Sequence, residues 1–233
     1  MSTSERTART IITAICRRLS RVYGPVEPPP QLPVLEELIA AILSQNTSDA
    51  NSDAALARLK QRFPDWDALA AAPLEDIKAA IRPAGLANRK APRIKAIVEQ
   101  IRSRHGTASL EFLRQYPTQA AVQYLSQFPG VGPKTVACVL LFACRKPVLP
   151  VDTHVHRVAA RLGLIAPGTS AERAHRELAR LVPPSRVLEF HIQLIRHGRS
   201  TCRARRPNCH DCPLLELCPT GRRQKGTMLR PIR

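Results

Sequence analysis

The sequence predicts an all-α protein, and three observations support this fold class. Apolar residues recur at the three- and four-residue spacing of helices, as in the first stretch, where Ile11, Ile12, Ile15, Leu19 and Val22 share one helical face. The period-two alternation of half-buried strands is absent. Proline- and glycine-rich connectors such as GPVEPPPQLP (24–33) separate the helical stretches, because proline cannot continue a helix.

Further helices follow in order along the chain, each bounded by a local signal. Ser48 or Asp49 is expected to cap the third helix, and Pro64 and Pro73 interrupt the stretch that follows it. A glycine turn at Gly85 precedes a basic helix. After the first stretch, helices are predicted over 34–45, 50–63, two short ones within 63–81, then 88–105, 118–127, 135–144, 153–162, 170–181 and 186–197.

A second glycine turn occupies the middle of the chain, in the sequence QFPGVGPKTVAC (127–138). Gly130 and Gly132 flank Val131, and glycine tolerates the crowded backbone angles of a tight turn. Pro133 suits the first position of a helix, and residues 135–144 carry no charge, so this helix should be buried. Such a turn leaves backbone N–H groups free to bind a phosphate. The turn at Gly85 could do the same through Arg89 and Lys90, although a plain helical connection explains it equally well.

Two side chains near this turn can carry chemistry. Lys134 lies in the first turn of the buried helix, and Asp152 follows within PVDTHVHR. A neutral lysine amine is a nucleophile, and a helix N-terminus and burial both disfavour the charged ammonium form. Asp152 could accept its proton or stabilise a cationic sugar-like intermediate. The alternatives are that Lys134 only contacts a phosphate and that Asp152 only caps the helix at 153.

The chain is strongly basic, with 36 Lys and Arg against 18 acids, a formal charge of +18 and a pI near 10.8. This excess indicates a polyanionic partner such as nucleic acid, and the alternative is a solvated, self-repelling surface. No apolar run approaches the length of a membrane span. The basic N-terminus superficially resembles a transit peptide, but its apolar face favours a packed helix. We therefore expect a soluble, cytoplasmic protein with no membrane partner.

Four of the seven cysteines follow one another closely near the end, in the spacing Cys202-x6-Cys209-x2-Cys212-x5-Cys218. This density indicates a metal site in a reducing compartment, either a zinc ion or a four-iron cluster. Structural zinc sites commonly use two short-spaced pairs, so the single CxxC favours the cluster. The alternative is four unligated thiols. Three arginines lie between the first two cysteines and could present guanidinium groups to a phosphate backbone: Arg203, Arg205 and Arg206.

These motifs together resemble the endonuclease III family of helix-hairpin-helix (HhH-GPD) DNA glycosylases and AP lyases. The hairpin FPGVGPKT, the downstream VDTHVHRV, the HGRSTC sequence and the cysteine spacing all match in order. The resemblance implies a six-helix barrel over 33–146 and a cluster domain over 147–220 that packs with the N-terminal helix and connector (1–28). It implies a [4Fe–4S] cluster on the four cysteines, double-stranded DNA with damaged bases or abasic sites bound between the domains, and a monomeric, nucleoid-associated enzyme of bacteria or archaea.

The resemblance also implies a mechanism and shows two departures. Lys134 would attack C1′ of a flipped-out nucleotide and form a Schiff base, and β-elimination assisted by Asp152 would nick the strand on the 3′ side. Family members place a glutamine wedge where this chain has Asn46, with Gln45 beside it, and many carry a basic residue where this chain has Pro133.

The function expected from these observations is a bifunctional glycosylase and AP lyase for oxidised pyrimidines. The alternatives are a catalytically weak DNA-binding or damage-sensing protein and a monofunctional glycosylase for mismatched or deaminated bases. After the cysteines, we expect a flexible basic tail over 221–233 that adds non-specific affinity.

Overall fold

The computed structural model describes the backbone of residues 3–228 and the side chains of residues 9–223, and within these bounds it is helical with no strand. The all-α prediction is confirmed. The α-helices in chain order are α1 (Thr3–Tyr23), α2 (Val34–Leu43), α3 (Asp49–Arg62), α4 (Trp66–Ala71), α5 (Leu74–Ile81), α6 (Ala87–His105), α7 (Thr118–Ser126), α8 (Pro133–Cys138), α9 (Thr153–Arg161), α10 (Ala171–Leu181), α11 (Val187–Ser200) and α12 (Pro219–Met228).

The backbone contacts divide the chain into two compact units. The first unit combines the residues up to Pro29 with those from Pro147 onwards, and the second unit runs from Pro30 to Lys146. Both boundaries lie beside prolines, which interrupt the helical hydrogen-bonding pattern.

The second unit is built around α2, in which eight of ten residues are buried. This helix packs against α3, α6 and α8, while α6 packs against α4 and α5. Its apolar side chains, including Leu38, Ile39 and Ile42, are at most 1% exposed and form the centre of this core. Burial on nearly all sides explains why α2 is apolar all round, apart from the two acids in its first turn, rather than along one stripe.

The first unit joins the two ends of the chain. Helix α1 packs against α10 and α11, and α9 packs against α11 and α12. Polar bonds reinforce the apolar contact: the Gln193 amide donates to the carbonyl of Gly24 at 2.8 Å, and the Tyr23 hydroxyl lies 3.0 Å from Nδ1 of buried His197. These contacts place α1 as a packed helix of the folded protein.

One local expectation was wrong, and two other segments show details that the sequence did not reveal. Val22 does not belong to the buried face of α1, because its side chain is 57% exposed. The predicted helix over 135–144 is not regular: α8 ends at Cys138 and the chain continues as a π-helical turn, Val139–Ala143. Of the expected basic tail over 221–233, the residues up to Met228 lie in α12, and Arg230 and Arg233 lie outside the described residues. None of the helices described here is both long and apolar enough to cross a membrane.

Candidate active site

The central glycine turn connects α7 to α8 and has the geometry that its sequence predicts. Gly130 has φ +72°, which glycine adopts without strain, and the Val131 amide donates to the Phe128 carbonyl at 3.2 Å to close the turn. Gly132 is extended and acts as the N-cap of α8, so Pro133 is the first helical residue. The Val131 side chain is buried at 6% exposure. Of the three residues expected to bind DNA here, Val131 can therefore offer only backbone atoms.

Lys134 is half-buried in the first turn of α8, beside a carboxylate that the sequence analysis missed. Glu37 lies in the first turn of α2, the helix that packs against α8. Burial raises the pKa of Glu37 to about 7; the charge of Glu36 raises it as well, and the positive charge of Lys134 lowers it. The sequence does contain a sign of this carboxylate, because Glu36 and Glu37 are two adjacent acids at the start of an otherwise apolar helix. A carboxyl that titrates near neutral pH thus lies within electrostatic reach of the candidate nucleophile.

Asp152 is the N-cap of α9, as its position before THVHR suggested. Its Oδ1 accepts a hydrogen bond from the Val155 amide at 2.7 Å, and its side chain is half-buried. The capping interpretation is confirmed. Asp152 belongs to the first unit and Lys134 to the second.

Gln45 and Asn46, two neighbouring candidates for DNA binding in the polar segment after α2, differ in their exposure. Gln45 is half-buried, and both ends of its amide bond other parts of the second unit: Oε1 accepts from Arg93 Nη1 at 3.0 Å, and Nε2 faces the Gly130 carbonyl at 3.4 Å. Asn46 is exposed and has φ +55°, in the left-handed region that asparagine tolerates better than most residues. Asn46 is therefore the side chain of this pair that is presented to solvent.

The glycine turn at Gly85 does not offer Lys90 to a phosphate. Lys90 is 2% exposed, and its Nζ donates to the carbonyls of Leu43 at 2.7 Å and Ala84 at 2.9 Å. Desolvation lowers the pKa of this lysine, and the two carbonyls compensate its buried charge in part. The interpretation as a helical connection is the correct one for Lys90, which joins the end of α2 to the start of α6.

The four clustered cysteines line one cavity in the first unit, beneath the C-terminal end of α11. Residues of α9 and α11, including Arg161 and His197, complete its wall. None of the seven cysteines forms a disulfide. Burial raises the pKa of the Cys212 thiol to about 11, with the other three cysteine charges acting in the same direction. The cavity is lined by the thiols of Cys202, Cys209, Cys212 and Cys218.

All four cysteines lie in the wall of the same cavity. Across the described side chains, no three His, Cys, Asp or Glu groups lie at the spacing of ligands to one metal ion. N–H groups also face the sulfurs: Arg161 Nη1 is 3.2 Å from Cys202 Sγ, and the Gly221 amide is 3.3 Å from Cys218 Sγ. Four thiols around one cavity, with hydrogen-bond donors directed at two of the sulfurs, fit a thiolate-bound metal site, either an iron–sulfur cluster or a zinc ion.

The loop between the first two cysteines is fixed by arginines of α9. Arg161 donates to the carbonyls of Arg203 at 2.7 Å and Ala204 at 3.0 Å, and Arg157 Nε donates to the Cys202 carbonyl at 3.0 Å. These bonds hold the loop backbone while its own basic side chains remain outside. The three arginines expected to bind DNA are all exposed: Arg203, Arg205 and Arg206.

Comparison with known proteins gives consistent matches. Residues 39–184, which include the glycine turn, Lys134 and Asp152, match the family described as HhH-GPD superfamily base excision DNA repair protein. An Arabidopsis thaliana protein named as a DNA glycosylase is 38% identical over 191 residues, 78% of this chain; the chain spans 65% of that relative's length. Endonuclease III of Synechocystis sp. is 35% identical over 192 residues, covering 82% of this chain and 83% of the relative.

A solved structure supports the same relationship. The structure of a non-covalent endonuclease III–DNA complex superposes with a TM-score of 0.78 at 28% identity, covering 97% of this chain and 100% of the other. A thermostable thymine-DNA glycosylase has the same fold, with a TM-score of 0.75 at 21% identity.

Proposed function

Because this chain belongs to the HhH-GPD superfamily of base excision DNA repair proteins, we propose that it is a DNA glycosylase and AP lyase. Its substrate is double-stranded DNA that contains a damaged base or an abasic site, and its preferred damage is an oxidised pyrimidine. The names of endonuclease III relatives that align over about four fifths of the chain support the glycosylase and lyase activities.

The observation that carries the proposal is the position of Lys134. The lysine follows a tight glycine turn directly, at the start of a helix that is buried over Thr135–Cys138. The exposed backbone of Gly132 can approach a DNA phosphate closely, since nothing beyond its chain neighbours lies within 4 Å of the position that its Cβ would take. A phosphate held there brings the adjacent sugar near the amine of Lys134.

The chemistry requires that Lys134 gives up a proton first, because only an uncharged amine is a nucleophile. The Lys134 nitrogen attacks C1′ of an extruded nucleotide, the bond between C1′ and the base breaks, and the base leaves with the bonding electron pair and takes up a proton. The bond between C1′ and O4′ then breaks, O4′ takes up the second amine proton, and a Schiff base forms between Lys134 and C1′. Loss of a proton from C2′ then expels the 3′ phosphate by β-elimination. Water finally hydrolyses the Schiff base and releases Lys134.

Two further side chains assist this reaction. Asp152 retains one carboxylate oxygen beyond the one that caps α9, and this oxygen can accept a proton or stabilise the cationic sugar. Asn46, exposed in the middle of the segment between α2 and α3, fills the space that the extruded nucleotide leaves in the duplex. Exposed arginines of the cysteine loop bind the phosphate backbone without reading sequence.

The cysteine cavity would hold a [4Fe–4S] cluster on Cys202, Cys209, Cys212 and Cys218. As ligands of such a cluster, the four cysteines would join the loop that contains Cys202 and Cys209 to the chain before α12. The thiols must lose their protons to bind iron, and the N–H groups of Arg161 and Gly221 stabilise the resulting negative charge on sulfur. Iron and acid-labile sulfide analysis tests this assignment; purified protein that contains zinc and no iron would contradict it.

Borohydride trapping on a duplex with one abasic site tests the lyase. We expect a covalent adduct with the wild type and none with Lys134→Ala. A wild type that binds duplex tightly but gives no adduct would refute the Schiff base. Duplexes with one oxidised pyrimidine and with one deaminated or mismatched base then test the substrate. Release of the second kind of base without strand nicking would instead identify a monofunctional glycosylase.

A further inference from the structure

Three segments that are distant in sequence meet at Arg93 on α6. Its Nη1 donates to Oε1 of Gln45 at 3.0 Å, which joins α6 to the segment after α2. The same guanidinium lies directly against the glycine turn, because a Cβ built on Gly130 would overlap Arg93 Cζ, Nε and Nη1. Arg93 therefore occupies the space that the missing side chain of Gly130 leaves open.

Gln45 is the middle member of this arrangement. Its Nε2 lies 3.4 Å from the Gly130 carbonyl and 3.5 Å from Oγ1 of buried Thr135, both longer than good hydrogen bonds. The bond from Arg93 is the short one, and its donor is charged, which strengthens it. The position of the Gln45 amide thus depends mainly on Arg93.

The residue after Gln45 is the exposed Asn46 with φ +55°. Asparagine adopts this left-handed conformation more readily than most residues, so the direction of its side chain depends on how the neighbouring residues are held. On its N-terminal side, Lys90 holds the Leu43 carbonyl and Arg93 holds the Gln45 side chain, so two basic residues one turn apart on α6 fix this segment to the core. Lys90 fixes the end of α2, and Arg93 fixes the residue next to Asn46.

We propose that Arg93 is a positioning residue: by holding Gln45 against the glycine turn, it sets the direction in which Asn46 projects towards DNA. It acts through Gln45 and does not itself contact substrate. The role rests on the proposed function, and it concerns the step in which a base is extruded, because Asn46 is the residue that fills the vacated space. An abasic site has no base to extrude, so its cleavage depends less on Asn46.

The test compares base release with abasic-site trapping in Arg93→Ala, Gln45→Ala and the double variant. We expect single-turnover release of an oxidised pyrimidine to slow about tenfold in each single variant. The double variant should also slow about tenfold and not a hundredfold, because the two substitutions remove the same Arg93–Gln45 contact. Borohydride trapping at a preformed abasic site should change less than about twofold. Gln45→Ala removes the contact from the partly exposed side and thus serves as the second variant if Arg93→Ala unfolds.

Two further variants separate geometry from charge. Arg93→Lys keeps the charge but lacks the planar fork that reaches Gln45 while packing on Gly130, so it should remain slow. Arg102→Ala is the matched control: Arg102 is on the same helix and pairs with Asp67 at 3.3 Å, and its loss should alter neither reaction.

The outcomes are distinct. The positioning role would be overturned by additive effects of the two single substitutions or by full activity of Arg93→Lys. It would also be overturned if Arg93→Ala lowered the salt dependence of duplex binding by about one phosphate contact, which would show that Arg93 binds DNA directly. A wild type with neither base release nor an adduct would overturn the proposed function itself. An active wild type with unaffected Arg93→Ala would overturn only the role of Arg93.

Discussion

Glu37→Gln should make the protein more stable at alkaline pH, although it removes a charged side chain near the candidate active site. Glu37 is half-buried in the first turn of α2, and burial raises its pKa from an ordinary 4.5 to about 7. Its neighbour Glu36 forms the ion pair with Lys60 at 2.7 Å, so the cation that favours ionised Glu37 is Lys134. Ionised Glu37 is therefore only partly compensated.

The sign and the size of the effect follow from this pKa. The folded chain binds the Glu37 proton more tightly than the unfolded chain, so this group's contribution to stability is fully present below pH 4.5 and is lost as the pH rises through about 7. A pKa raised to this extent corresponds to at most about 3.4 kcal/mol, at 1.36 kcal/mol for each factor of ten in proton affinity. Because water screens a partly exposed carboxyl, we expect about 1–2 kcal/mol.

Urea unfolding of wild type and Glu37→Gln at about pH 5 and about pH 8 measures this difference. At the higher pH, the variant should have the larger free energy of unfolding by about 1–2 kcal/mol, and most of the gain should vanish at the lower pH. Glu36→Gln is the matched control at the adjacent position. It removes the ion pair with Lys60, so it should destabilise the protein at the higher pH by up to about 1 kcal/mol.

Two results would refute the reasoning about Glu37. One is an unfolding free energy at alkaline pH that does not exceed that of the wild type. The other is a gain of equal size at both pH values, which would come from packing and not from ionisation. Lys134→Ala adds an independent check: without the positive charge, the pKa of Glu37 should rise further above 7.

Two other predictions concern the proposed roles of the first unit. Asp152→Asn keeps an oxygen for the Val155 amide, so it should have the melting temperature of the wild type but form the borohydride adduct about tenfold more slowly. Asp152→Ala should also lose about 1 kcal/mol of stability, because it removes the cap. Full activity of Asp152→Asn would leave Asp152 with the capping role alone. Replacing Arg203, Arg205 and Arg206 together by alanine should reduce the slope of log K against log salt concentration for duplex binding by up to about 2.7, at about 0.9 for each phosphate contact. An unchanged slope would show that these three arginines do not bind the phosphate backbone. Alanine substitutions of Arg173 and Arg176, exposed arginines of α10 that pair with glutamates, provide the control.

Much of the fold could be predicted from the sequence because its determinants are local. Helix periodicity and the separating prolines depend on residues a few positions apart, and so do the caps: Ser48 Oγ faces the Asn51 amide at 3.3 Å, and Asp152 caps α9 as expected. The glycine turn before Lys134 belongs to the same class, since the left-handed angle of Gly130 is a property of a few consecutive residues.

The rest depended on side chains that come together from distant parts of the chain. Gln45 and Asn46 are adjacent polar residues, yet Arg93 on α6 engages one and leaves the other exposed. Lys90 is one basic residue among several in its helix, but the end of α2 lies over it and makes it a buried structural cation. Burial against a neighbouring helix likewise determines the pKa of Glu37. Local sequence determined the helices, the turn and the candidate nucleophile, whereas the tertiary structure decided which polar side chains remain free, because burial and partners are set by packing between distant segments.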